Sequence, residues 1–193
     1  RIYKIADIVN ICELYMEIME EWIDTPDQEE RRCFILEKEH PRFDLDKNKK
    51  IKTDEHGNKR VKDGVHIMFP YIITNTFLQL MFRKNLLIKI HTILDKYHLD
   101  NSYSDIVDKC VIDRNNWQMY GSGKSNVSQV YKVTKIIETY SDHNNDISSL
   151  LINDYDDKNI FTLLSVRNHT QQSTIRNDRK EYLAELERKD HTK

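Results

Sequence analysis

Apolar residues recur at three- and four-residue steps through the first part of the chain. Ile5, Ile8, Val9, Cys12, Tyr15, Met16, Met19 and Ile23 share one stripe, with Glu13, Glu17, Glu20 and Glu21 mostly opposite. That period predicts a helix over about 2–23. Asp24-Thr25-Pro26 ends it, because proline disfavours helix at the residue before it. Cys33-Phe34-Ile35-Leu36 is a short apolar run with polar borders, the pattern of a buried strand. Residues 65–69 form the next strand, closed by Pro70. Between the two strands, 40–63 is polar and crowded with lysine, with a tip at His56-Gly57-Asn58. The strands joined by this excursion are expected to be antiparallel neighbours.

Residues 71–97 carry Phe77, Leu80, Met81, Leu87, Ile88 and Ile93 at helical spacing. A turn is expected at 101–105. Residues 130–137 alternate around Tyr131, Val133 and Lys135 and read as a strand. Residues 141–146 are a loop of Asp, His and Asn, and 160–166 a last short strand. From 173 onward the chain is charged and helix-prone. The order helix, strand, strand, helix, strand, strand predicts an α/β fold, an antiparallel or mixed sheet packed by helices. The division expected is a core over 1–170 and a charged helical tail or linker over 171–193. No internal repeat or low-complexity segment is read.

Composition narrows the function classes. The 193 residues are 38% hydrophobic and 32% charged, with a net charge of -2. That describes a real core under a highly charged surface, and any basic patch must be local. Cys12, Cys33 and Cys110 are far apart, without zinc-site spacing, and read as reduced intracellular thiols. No apolar run is long enough to span a bilayer, so no membrane partner is expected. The chain starts at Arg1, inside a helical pattern, as expected of a piece of a longer protein.

Only four glycines occur, and two lie in Asn115-Asn116-Trp117-Gln118-Met119-Tyr120-Gly121-Ser122-Gly123-Lys124. Small residues, a hydroxyl and an ammonium on one loop suit a phosphate. Gly64 opens the second unusual stretch, Lys62-Asp63-Gly64-Val65-His66-Ile67-Met68-Phe69-Pro70. The two stretches are expected to form two walls of one site. On its strand His66 faces opposite to Val65 and Ile67, with Gly64 and Met68. Alone, His66 reads as a structural histidine and Asp108 as a turn cap. Convergence of His66, Asp108 and Lys124 is what would make them a site.

Three other patterns are outweighed by an ordinary-loop reading. Gly123-Lys124-Ser125 resembles the end of a phosphate-binding P-loop, but Gln118 holds the place of its first glycine. Asp44, Asp46, Asn48 and Glu55 have calcium-loop spacing, but Lys49 holds the place of the turn glycine. Asp44-Leu45-Asp46 resembles a two-metal carboxylate pair, but lysines come at once after it and no apolar strand leads in.

The glycine stretches also carry a family resemblance. Lys62 to Pro70 resembles the second motif of archaeo-eukaryotic-type primases, a small residue, any residue, then histidine on a strand. Val107-Asp108-Lys109-Cys110-Val111 resembles their third motif, a hydrophobic-aspartate pair. The segment from Asn115 to Lys124 is similar to the stretch just past that motif in primase-polymerases, in the style of the primase-helicases of large nucleocytoplasmic DNA viruses. Tyr131-Lys132-Val133-Thr134 and Leu163-Leu164-Ser165-Val166-Arg167 fit the same branch. The resemblance covers about 1–167.

It implies template-directed nucleotidyl transfer with two divalent metals, Mg²⁺ or Mn²⁺, held by acidic residues. Asp108 matches a metal carboxylate. His66 matches the histidine that meets the incoming nucleotide's phosphates. Ser122 and Lys124 fall where the triphosphate binds, Lys62 joins them, and Gln118 replaces an arginine of some relatives. The implied partners are template DNA, nucleoside triphosphates and a helicase region of the same polypeptide. The implied location is intracellular, in host cytoplasm or a viral replication site. The family's first acidic motif is expected upstream of Arg1, with Asp44 and Asp46 as the alternative pair. The rival reading is a non-catalytic nucleic-acid-binding or assembly module that keeps the fold.

Overall fold

The computed structural model describes residues 2–25, 29–114, 120–123, 129–138, 148–150, 155–165 and 171–191. Helix α1 (Ile5–Glu20) buries Ile8, Val9, Ile11, Cys12, Met16, Ile18 and Met19. Ile23 leaves the expected helix and bridges to Ile175 instead. Buried Asp7 accepts from Lys96 at 2.5 Å and also from the Tyr97 hydroxyl.

Strand β1 (Arg32–Glu37) lies between β4 (Val65–Met68) and β5 (Lys132–Glu138), and β6 (Ser148–Leu150) pairs with the outer edge of β5. All three pairings are antiparallel. The α/β class and the antiparallel neighbours β1 and β4 are therefore as the sequence predicts.

The strand alternation sorts two apolar clusters onto the two sheet faces. Cys33, Ile35 and Ile137 join α1 and α2 (Thr76–Lys89), with Val65 and Ile67 beside them. Phe34, Leu36, Val133 and Ile136 join Ile160 and Leu164 on the other face, with Met68 and Tyr120. Helix α2 opens on Asn75, whose side chain accepts the Leu78 N–H at 2.9 Å. Its Leu78, Phe82 and Leu86, four residues apart, face the core with Ile90. A single turn, α3 (His91–Leu94), continues it.

The expected turn at 101–105 is a short helix, α4 (Tyr103–Ile106), capped by Ser102. A second short helix, α5 (Cys110–Asp113), comes next. The expected strand at 160–166 is overturned. Residues Asp157–Leu163 form α6, capped by the Asp156 carboxylate on the Asn159 N–H at 2.7 Å. Ile160 and Leu164 fit both a two-residue and a four-residue period. The partial burial of Leu163 and the exposure of Thr162 fit only the helix. The charged segment after 173 forms α7 (Lys180–His191). It is tied to the body: Arg176 N–H donates to the Trp22 carbonyl, Tyr182 stacks on Trp22, and Leu183 is buried.

The lysine-rich excursion folds on itself. Strand β2 (Arg42–Phe43) pairs antiparallel with β3 (Val61–Lys62). Backbone bonds close a triangle in which Asp44 N–H donates to Arg60, Arg60 N–H to Lys52, and Lys52 N–H to Asp44. Two matching turns link its corners, a repeat that the pattern of residue types does not reveal. Asp46 Oδ1 accepts the Asn48 and Lys50 N–H groups, both at 2.8 Å. Eight residues on, Asp54 Oδ1 accepts those of His56 and Asn58 at 2.9 and 2.8 Å. Positive φ falls at the same place in each turn, at Lys49 (63°) and Gly57 (82°).

Candidate functional site

His66 sits in the middle of β4, where Gly64 and Met68 share its face and Val65 and Ile67 pack on the helix side. Its ring lies on Tyr131, centroid to centroid 3.7 Å and 18° from parallel. Tyr131 stands just ahead of β5 and is buried. Its carbonyl accepts the Gly121 N–H at 3.1 Å. Gly121 holds φ 71°, which lets the loop turn onto that carbonyl without a Cβ penalty. Tyr120, before it, packs under the same face and donates its hydroxyl to Asp157 Oδ1 at 3.0 Å. One residue, Tyr131, thus joins the histidine strand to the glycine loop.

The charges around this point are mostly positive. Lys38 Nζ stands 4.7 Å from the Tyr131 ring centroid. Burial raises the Tyr131 phenol pKa, the Arg42 charge opposes that, and Asp63 adds to it. His66 is pushed down to about 4, first by burial and then by Lys38. The ring is therefore neutral at pH 7, with one N–H to donate and no charge of its own. A Cβ on Gly64 would stand 3.5 Å from the Tyr131 hydroxyl, an ordinary contact.

Lys62 is exposed and ion-paired with Asp44 Oδ1 at 2.8 Å, and Lys52 holds Asp44 Oδ2 at 3.1 Å. Those two bonds, Lys62 first, pull the buried Asp44 carboxyl below the usual carboxylate range. Ser122 is half-buried beside Gly121. Gln118 and Lys124 lie outside the described residues. Asp108 is exposed, and its carboxylate accepts the Cys110 N–H at 2.8 Å, bending the chain into α5. Its neighbour Val107 packs into the helix-side cluster, and Arg83 of α2 donates to the Val107 and Ser104 carbonyls, both at 2.7 Å. Asp108 thus stands by the helix layer, and His66 faces the other side of the sheet.

His66 stacks on Tyr131, the loop residue before Ser122 bonds to the Tyr131 carbonyl, Lys62 is paired with Asp44, and Asp108 lies beside the helix-side cluster. Among the described residues, no three His, Cys, Asp or Glu side chains gather as a metal would require. In the sequence Tyr131 reads as a strand residue inside the family-like run 131–134, with no role of its own. In the strand alternation it falls on the face that buries Val133. An open cleft of about 820 Å³ lies between the end of α1 and 171–176; it shares no residue with this site.

This sheet, with a small-x-His strand beside a glycine loop, defines a primase-type α/β domain. Residues 1–137 match the family described as the C962R protein N-terminal AEP domain, an archaeo-eukaryotic primase type, and the chain belongs to that family. It is 29% identical over 136 residues to the helicase-named L207/L206 protein of Acanthamoeba polyphaga mimivirus, covering 69% of this chain and 13% of that one. It is 26% identical over 162 residues to the helicase-named 184R protein of Invertebrate iridescent virus 6, covering 74% of this chain and 14% of that one. The chain therefore spans 13–14% of the relatives' length. No solved structure matches it. Among the described residues no helix is long and apolar enough to cross a membrane.

Proposed function

We propose that this chain is the primase module of a viral primase-helicase and binds the triphosphate of an incoming nucleotide between the His66 strand and the Gly121 loop. The observation that carries the reading is the Tyr131 junction, where the His66 ring and the Gly121 N–H meet one residue. A neutral imidazole donates a hydrogen bond to a phosphate oxygen, and Lys38 and Arg42 supply charge around it. Lys62 reaches a phosphate by exchanging Asp44 for it. Positioning and charge neutralisation are the protein's part in such a transfer. The helicase names of the relatives support a helicase region in the same polypeptide, and template DNA as the second partner, inside the infected host cell.

The Mg²⁺ or Mn²⁺ of the family chemistry needs carboxylates that the described residues do not gather. Asp108 is the carboxylate the resemblance offers, and Asp44, bonded to Lys52 and Lys62, is the alternative. Isothermal calorimetry with a nucleoside triphosphate tests the reading. His66→Ala and Tyr131→Ala are each expected to weaken binding at least tenfold. Binding unchanged in both variants would refute the site. No nucleotide binding, with oligonucleotide binding retained, would favour the non-catalytic module.

A further inference from the structure

The excursion between β2 and β3 presents an apolar surface that belongs to neither core cluster. Phe43, Leu45, Ile51 and Val61 are 47, 48, 38 and 40% exposed. Single exposed apolar residues are ordinary, but these four are in register. Phe43 lies opposite Val61, and Leu45 opposite Ile51. Directly paired antiparallel residues share a face, and so do residues two apart on one strand. The four side chains thus line one side of the folded excursion. Asp44, with Lys52 and Lys62 bonded to it, takes the other side.

The same segment holds the positive charge that the rest of the chain lacks. Residues 42–62 carry eight Lys and Arg against four Asp and Glu, in a chain whose net charge is -2. Three of the carboxylates are engaged locally. Asp44 takes two lysines, and Asp46 and Asp54 take the N–H groups of their own turns. Lys47, Lys49 and Lys50, at one corner, have no carboxylate partner among the described residues. Lys59 Nζ stands 5.5 Å from the Phe43 ring centroid. An aromatic ring with apolar neighbours, fringed by these lysines, is the chemistry that holds a single-stranded polynucleotide. Bases stack on the ring and phosphates meet the ammonium groups. An apolar protein partner would not call for the lysines.

We infer that the outer face of 42–62, with Phe43 at its centre and Lys47, Lys49, Lys50 and Lys59 at its rim, is a binding surface for single-stranded nucleic acid. Strand β3 runs from this surface straight into Gly64 and His66, so a strand held there is led toward the nucleotide site. That direction rests on the nucleotide-binding reading above; the surface itself does not.

The test is fluorescence anisotropy of labelled oligothymidylate and oligouridylate with the 193-residue chain, at several salt concentrations. Phe43→Ala is expected to weaken binding about 5- to 100-fold, the loss of one stacked base. The triple change Lys47→Gln, Lys49→Gln, Lys50→Gln is expected to flatten the slope of log affinity on log salt by about 2. Both substitutions lie on exposed positions, and unchanged circular dichroism confirms folding. Strand binding lost in both variants, with calorimetric nucleotide affinity intact, supports the surface. The same loss in a chain that binds no nucleotide still supports it and removes the His66 reading. Variants that bind like the wild type overturn the proposal. So does a wild type that binds no single strand, which would give the apolar face to a protein partner.

Discussion

His66 offers the sharpest quantitative test, because its stability effect has a defined sign. The folded pKa is about 4 against an ordinary 6.5. The folded state therefore resists the proton that the unfolded chain accepts. Above pH 6.5 both states hold a neutral ring and the group costs nothing. As pH falls from 6.5 to about 4 the unfolded state binds more protons and stability declines. By about pH 5 the loss is about 2 kcal/mol, reduced to about 1–2 kcal/mol because the ring is partly open to water. His66→Phe keeps a ring on Tyr131 and cannot titrate. Urea unfolding of both proteins at about pH 8 and about pH 5 gives a difference of differences from which other titrating groups largely cancel. The wild type is expected to lose about 1–2 kcal/mol more than the variant. Equal losses, or a His66 midpoint near 6.5 by nuclear magnetic resonance titration, would refute the reasoning.

Other substitutions probe the frame. Phe82→Ala empties a buried position beside Tyr15 and is expected to cost about 3–5 kcal/mol in urea unfolding. Arg32→Met strips buried Glu138 of a partner at 2.6 Å and is expected to cost about 3 kcal/mol, much of it recovered by adding Glu138→Leu. The glycines separate space from conformation. Gly57→Ala meets no neighbour but strains a φ of 82°, at about 1 kcal/mol, while Gly64→Ala makes an ordinary 3.5 Å contact and should leave the melting temperature nearly unchanged.

The reach of each signal decides how much of the fold is legible in the chain. In α1 burial repeats at the helical period, and β1 is a continuous apolar run buried on both faces, so hydrophobicity shows both elements. The expectation that His66 faces away from Val65 and Ile67 holds because side chains alternate along a strand. Residues 160–164 fail because Ile160 and Leu164, four apart, satisfy both periods, and only the Asp156 cap separates them. The twin aspartate turns at 46–50 and 54–58 escape because backbone N–H groups, not side-chain similarity, make the repeat.

The site shows the same divide. The sequence alone determined the two glycine stretches, the histidine on its strand and the near-neutral charge with a local basic segment, since each is a property of residue types and short spacing. Only the tertiary structure decided that Tyr131 joins the stretches, that Asp44 belongs with Lys62, and that Asp108 stands by the helix layer. Those are contacts between residues well separated along the chain, or a choice of sheet face. Both are set by strand pairing and by which apolar cluster each neighbour enters, and no local pattern encodes them.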